Sequence, residues 1–390
     1  MLTLRLKPQA PARVLHGHPW VFAGELREKI PADAHGQPAV LRDGRGRLLG
    51  TGLCSARSAI AWRRYSQAAV PFDRAQIDAA LTTALALREN AGFHGPFRRL
   101  VWSEADHLPG LVVDQFDRAL VVQSLTQGTE NALPLLGPLL QQRLQPEEII
   151  LRNDSPSRRH EGLALESKTF SGQPYPPRWF NLDGIDYELD LLSAQKTGFY
   201  LDQRGQHLRV AALARGRRVL DGCCNQGAFG LQCAKAGAAA VLGIDSSAPA
   251  IANCRANAAR NRLEDRVTFN CANLFDWFTT RKDARDVFDL IILDPPSFAP
   301  RRDAVEAAIR GYKELNLRAL RLLAPGGILA TYSCSQAVDA GAFLSLLADA
   351  AADARREVRL LEVTSQPADH PVLLSCPETH YLKGALVQVI

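Results

Sequence analysis

Residues 1–72 alternate apolar and polar positions over short runs: Leu2-Thr3-Leu4-Arg5-Leu6, Ala39-Val40-Leu41, Leu48-Leu49-Gly50-Thr51-Gly52 and Ala59-Ile60-Ala61-Trp62-Arg63-Arg64. Short strands at such close spacing, with Asp43-Gly44 among the turns, predict a small β-barrel. After Pro71-Phe72 the period changes. Ile77, Leu81, Leu85 and Leu87 fall at helical spacing within Asp73–Gly92, followed by a hairpin at Leu111–Gln123, a helix over Asn131–Leu144 and a strand at Glu148–Arg152. Ser171–Pro177 reads as a linker. Beyond it, continuous apolar runs alternate with helical stretches: Val219-Leu220, Ala240–Ile244, Val267–Cys271, Phe288–Leu293 and Ala324–Tyr332. That rhythm predicts a doubly wound parallel sheet.

Ligand chemistry in such sheets gathers at the strands' C-terminal ends. The first strand ends at Asp221 and enters Gly222-Cys223-Cys224-Asn225-Gln226-Gly227, which opens an Ala/Leu-rich helix. This is neither G-x-G-x-x-G nor a P-loop, so a pyrophosphate cradle is not expected. The second strand ends at Asp245, where a carboxylate can accept both hydroxyls of a ribose. Asp294-Pro295-Pro296-Ser297-Phe298 ends the fourth, its prolines fixing φ and removing two N–H donors. The fifth, preceded by Pro325-Gly326-Gly327, ends at Ser333-Cys334-Ser335.

Taken as an ordered set, these strand ends resemble class I S-adenosylmethionine-dependent methyltransferases, and within them the bacterial 23S rRNA cytosine-5 methyltransferases with an N-terminal PUA domain. Further segments carry the likeness. They are His16-Gly17-His18-Pro19-Trp20-Val21-Phe22-Ala23-Gly24-Glu25, Trp102–Leu111, Arg152–Gly162, Gln195–Arg204, and Asp369-His370-Pro371-Val372 through Pro377-Glu378 to Lys383-Gly384. Trp102, His107 and the Cys223-Cys224 pair depart from the family pattern. The resemblance implies a Rossmann-like class I methyltransferase domain at 181–390, a PUA-like β-barrel at 1–72 and a mixed α/β middle domain at 73–180 that lines a substrate-RNA cleft. It implies S-adenosylmethionine as cofactor, held by Phe199, Asp202, Arg204, Asp221, Gly222, Asn225, Gly227, Asp245, Ser246, Asn273, Asp294 and Pro295. Arg204 is expected to pair with the methionine carboxylate and Asn273 to touch adenine. Cys334 is expected as the nucleophile and Asp294 as the partner of the base's N3.

Carbon 5 of a pyrimidine is a poor nucleophile, and a thiolate adding at carbon 6 activates it. That is why the cysteine of Ser333-Cys334-Ser335 favours cytosine-C5. Asp-Pro-Pro loops also serve methylation of a guanine or adenine amine, or of a ring nitrogen, without a cysteine. A degenerate RNA-binding protein is the third reading. The remaining composition adds limits. A net charge of +5 allows 23S rRNA as a partner without requiring it. Arg13, Arg27, Arg63 and Arg64 are the candidate RNA contacts of the barrel, with Trp20 and Phe22 read as its core. The eight cysteines lack C-x-x-C spacing, so no metal is expected and seven read as packing residues. No apolar run spans a membrane and no leader is evident, which predicts a cytoplasmic protein; a homodimer is an allowed assembly.

Overall fold

The computed structural model describes residues 1–9, 11–194, 196–284, 287–298 and 305–390. Gln195, which opens the Gln195–Arg204 run, lies outside them. The chain forms two compact units that are not consecutive in sequence: Met1–Arg178 with Leu189–Leu201 and Ala368–Thr379, and Trp179–Glu188 with Asp202–Pro367 and His380–Ile390.

The first unit holds two five-stranded sheets. In the N-terminal one, strand alternation buries Leu4, Val21, Leu41 and Trp62. Val21, rather than its neighbours, occupies the core. Trp20 is half-buried and donates its indole N–H to Glu104 at 2.6 Å, while Phe22 is exposed. The period of two explains the difference, because residues on either side of an inward Val must face outward. In the second sheet the strands Leu111–Phe116 and Ala119–Ser124 pair as the expected hairpin. Helices Arg74–Asn90 and Gln127–Leu144 bury Ile77, Leu81, Leu136 and Leu140 together with Leu100, Val113 and Leu120.

The arginines read as RNA contacts also bond within the protein. Arg13 pairs with Glu25 at 2.5 Å and Arg63 with Glu104 at 2.7 Å, and Arg64 donates to the Gly17 carbonyl. Arg27 donates to the Leu6 carbonyl at 3.2 Å. Arg152 and Arg158 are buried; the first holds the Leu191 and Ala194 carbonyls and the second Glu130. These side chains build the unit. His18 and Glu378, from opposite ends of the chain, meet at 3.1 Å beside Cys376. These three form the one group, among the described residues, spaced to hold a metal ion. His18 Nδ1 accepts the Trp20 N–H, so Nε2 carries the proton and donates it to Glu378.

The second unit is built on a seven-stranded sheet, whose strands we label β1 (Arg218–Gly222), β2 (Ala240–Asp245), β3 (Val267–Cys271), β4 (Phe288–Leu293), β5 (Leu323–Ser333), β6 (Val358–Ser365) and β7 (Lys383–Val389). Their order is 3-2-1-4-5-7-6, with β1 to β5 parallel and β7 antiparallel to both neighbours. This is the Rossmann-like arrangement of class I methyltransferases. The C-terminal strand β7 lies between β5 and β6, so that the antiparallel pair β7–β6 closes one edge of the sheet. The residues of β7 are almost all buried, so two partners are needed to satisfy both rows of backbone groups. No described helix is long and apolar enough to cross a membrane.

Candidate active site

The reversal of strand order at β1 and β4 brings the acids of three strand ends together. Asp221 lies within β1 and is 1% exposed, its Oδ2 accepting the Gly230 amide at 2.8 Å. Burial, and then the charges of Asp294 and Asp245, push its carboxyl up to about 7 against that hydrogen bond. Asp245 Oδ2 accepts the Asn225 amide at 3.0 Å and Oδ1 the Ser247 amide at 2.9 Å. Each oxygen retains a second lone pair for a ligand hydroxyl.

The loop between β1 and the helix Ala228–Lys235 is wound tightly. Cys223, Asn225 and Gly227 have φ of +65°, +48° and +78°. Only the last suits its conformation without strain, and a Cβ at Gly227 would meet Phe269 at 3.1 Å and Cys254 at 3.3 Å. What holds two non-glycine residues in this shape is a set of bonds from the loop: Cys224 N–H to Ile244 O at 3.0 Å, Cys254 Sγ to Asn225 O at 2.9 Å, and Asn257 to Gln226 O at 3.2 Å. Asn257 also accepts the Glu188 amide at 3.0 Å and is fully buried. A small two-stranded sheet covers its face of the helix, and nothing local in the sequence announces it.

Several expected cofactor residues have partners within the protein. Arg204 Nε and Nη2 both donate to Asp183 at 2.6 Å, so its fork is taken by a carboxylate of the chain. Asn273 caps the helix Leu274–Thr279, accepting the Phe275 amide at 2.9 Å. Asp202 is buried and accepts the Tyr381 hydroxyl at 2.8 Å. Ser246 follows β2 directly, and its carbonyl accepts from Cys271 Sγ at 3.6 Å. Phe199 is 3% exposed and belongs to the first unit.

The Asp294 loop and the Cys334 loop are joined. Asp294 donates its amide to the Gly222 carbonyl at 3.4 Å, and Pro295 is buried behind it. Ser297 Oγ lies 2.9 Å from Ser335 Oγ, which also meets the Tyr312 hydroxyl at 2.9 Å. Ser333 and Ser335 are fully buried while Cys334 between them is half-exposed. The flanking serines therefore fix the backbone and leave the thiol accessible. The other cysteines differ. Burial pushes Cys223 up to about 12 and Cys224 well above its ordinary value, with the Cys254 thiol the leading cause at Cys224, so both stay protonated. Cys271 is exposed rather than packed. Lys383, which sequence reading passed over, reaches this corner with its ammonium 2.6 Å from the Ser335 carbonyl. A lysine amid the apolar residues of a strand is the signal that could have found it.

Three carboxylates converging on one corner, Asp221 raised by burial and then by the other two, make a site suited to a cationic ligand. The same cluster yields a prediction. Asp221 binds its proton more tightly folded (about 7) than unfolded (3.8), so its contribution is fully present below pH 4 and lost as pH rises through 7. Asp221→Asn removes that loss. In urea denaturation the variant should gain on the wild type between pH 5 and pH 8; an equal difference at both values refutes the assignment.

A family described as S-adenosylmethionine-dependent methyltransferase matches residues 160–377, and a PUA-like domain family matches residues 4–67. The ribosomal RNA large subunit methyltransferase I of Shewanella denitrificans is 37% identical, covering 100% of this chain and 99% of its own. That of Photobacterium profundum is 36% identical over 94% of both chains. Two solved structures share the fold across 100% of both chains at 19% identity. One, from Streptococcus mutans, was assigned as an S-adenosylmethionine-dependent methyltransferase and has a TM-score of 0.83. The other, assigned as a methyltransferase and complexed with S-adenosylhomocysteine, has a TM-score of 0.85.

Proposed function

Because the chain belongs to the S-adenosylmethionine-dependent ribosomal RNA large subunit methyltransferase I family, with its PUA-like domain, we propose that it methylates carbon 5 of a cytosine in 23S rRNA through a covalent bond from Cys334 to carbon 6. The observation that carries this reading is the 2.9 Å contact of Ser297 with Ser335, which ties the loop of Asp294 to the loop of Cys334. Amine methylation needs the first loop alone; only C5 chemistry uses both.

The carboxylate cluster fits a sulfonium cofactor. Asp245 would take the ribose hydroxyls and Ser246 and Asn273 would border the adenine. Gly222, Asn225 and Gly227 would leave room for the rest of the molecule, with Asp221 and Pro295 stiffening the walls. Asp202 and Arg204 brace the mouth through Tyr381 and Asp183. Bound S-adenosylmethionine supplies an electrophilic methyl group.

The chain's own residues do the rest. The target base is presented out of its stack. The Cys334 thiolate forms the Sγ–C6 bond and the C5=C6 electron pair moves onto carbon 5, while N3 takes up a proton and donates it in a hydrogen bond to the Asp294 carboxylate. Carbon 5 then takes the methyl group. Water takes the C5 proton, the freed electron pair restores the double bond and expels the thiolate, a competent leaving group, and N3 gives its proton back to solvent. The Pro295-Pro296 pair keeps Asp294 in a stiff loop with no competing N–H donors.

Methyl transfer to unmodified large-subunit rRNA, followed by nucleoside analysis, should yield 5-methylcytidine. RNA bearing 5-fluorocytidine, whose fluorine cannot leave as a proton does, should trap a protein–RNA adduct at Cys334. Label on a purine, or no adduct, would replace this reading with amine or ring-nitrogen methylation.

A further inference from the structure

Lys383 opens β7 and is 3% exposed. Antiparallel pairing sets it directly opposite Ser333, the residue before Cys334. Its ammonium donates to the Ser335 carbonyl at 2.6 Å and the Tyr381 carbonyl at 2.9 Å. The side chain therefore spans the peptide segment that carries the thiol. An ammonium buried at this depth is costly unless it meets an opposite charge, and two neutral carbonyls do not neutralise it. Two hydrogen bonds use two of its three donors. The acidic groups that act on it are Cys334, from the end of β5, and Asp339 beyond it.

We propose that Lys383 is the positioning residue that holds Cys334 as a thiolate, ready for addition to a pyrimidine carbon. This rests on reading Cys334 as the nucleophile. A neighbouring cation is the usual means by which a protein ionises a cysteine near neutral pH. The thiol proton passes to water and Lys383 keeps its own, so the pair is an ammonium–thiolate ion pair. Burial pushes Lys383 down to about 8, with Cys334 and Asp339 opposing the shift, so the cation persists at pH 7 and fades above 8. The other titratable groups facing this corner are His380, pushed down by burial and by Lys383, and Tyr312, raised by burial. Both are uncharged at neutral pH, and the Asp294 loop, joined here through Ser297 and Ser335, brings a carboxylate to the same corner.

The test is alkylation of the full chain by iodoacetamide from pH 5 to 9.5, with peptide mass spectrometry following each cysteine. The exposed Cys271 is the internal reference. In the wild type, Cys334 should reach half its maximal rate at least one pH unit below Cys271. Lys383→Gln keeps hydrogen-bond donors but not the charge. It should slow Cys334 about tenfold at pH 7, one pH unit being a factor of ten, and leave Cys271 unchanged. Lys383→Arg should keep the low profile. Coincident profiles in the wild type, or no change in Lys383→Gln, overturn the proposal. The wild-type comparison decides even if Lys383→Gln does not fold. A depressed Cys334 profile in a protein whose Cys334→Ala variant still methylates RNA would refute the covalent reading instead.

Discussion

Cys334→Ala is expected to lower the rate of methyl transfer to rRNA by at least about 10⁴-fold, the scale on which removal of a catalytic nucleophile acts. Affinity for S-adenosylmethionine should stay within about twofold by isothermal titration calorimetry. The size follows from what the thiol does: without addition at carbon 6, carbon 5 lacks the electron density to attack a methyl group. Cys334→Ser should recover little, since a serine hydroxyl stays protonated in surroundings that ionise a thiol. The fold will tolerate both changes, because Ser335, not Cys334, carries the bonds to Ser297 and Tyr312. A variant within tenfold of wild type would mean that the base is methylated without covalent help, leaving the Asp294-Pro295-Pro296 loop to hold an exocyclic amine.

What could be read from the sequence follows physical range. The β1 loop, the acids at the ends of β2 and β4 and the Ser333-Cys334-Ser335 turn are local patterns, each a strand run ending in polar residues. The structure places Asp245 and Asp294 near enough to Asp221 that, after burial, their charges help to raise its carboxyl. What escaped was set by partners far along the chain. Arg204 grips Asp183 at 2.6 Å, a carboxylate that no local pattern pairs with it. The Asn273 Oδ1 caps a helix, a role that Asn at that position commonly takes. Asn257 is buried because a hairpin 69 residues earlier covers it and donates the Glu188 amide to its side-chain oxygen. Lys383 was visible as an oddity in an apolar strand, yet its meaning depends on Ser335, 48 residues earlier. Helical and strand periods carry no information at that distance.

Arg88→Met should cost about 3–5 kcal/mol of stability, the range for breaking a buried ion pair from one side. Arg88 is fully buried on the helix Arg74–Asn90, and each of its five donors has an acceptor. Nη1 reaches Asp106 at 2.6 Å and the Ala84 carbonyl at 3.2 Å; Nη2 reaches Asp106 at 2.8 Å and the Asp369 carbonyl at 2.7 Å; Nε reaches the Arg99 carbonyl at 3.0 Å. Methionine fills much of the volume but leaves the Asp106 carboxylate buried with only the Trp102 amide, at 2.5 Å, among these partners. It also withdraws one of the bonds that fasten residues 368–379, beside the Asp369 carboxylate on the Arg99 amide at 3.0 Å and Glu378 on His18 at 3.1 Å. Urea denaturation should show the loss, and hydrogen exchange should quicken in 368–379. Lysine cannot substitute, because three donors in a cone do not match a planar carboxylate and three carbonyls. The double variant Arg88→Met with Asp106→Leu should be less destabilised than Arg88→Met alone, since no charge is then left unpaired. If the single change costs less than about 1 kcal/mol, water reaches Asp106 and this pair is not what secures the segment.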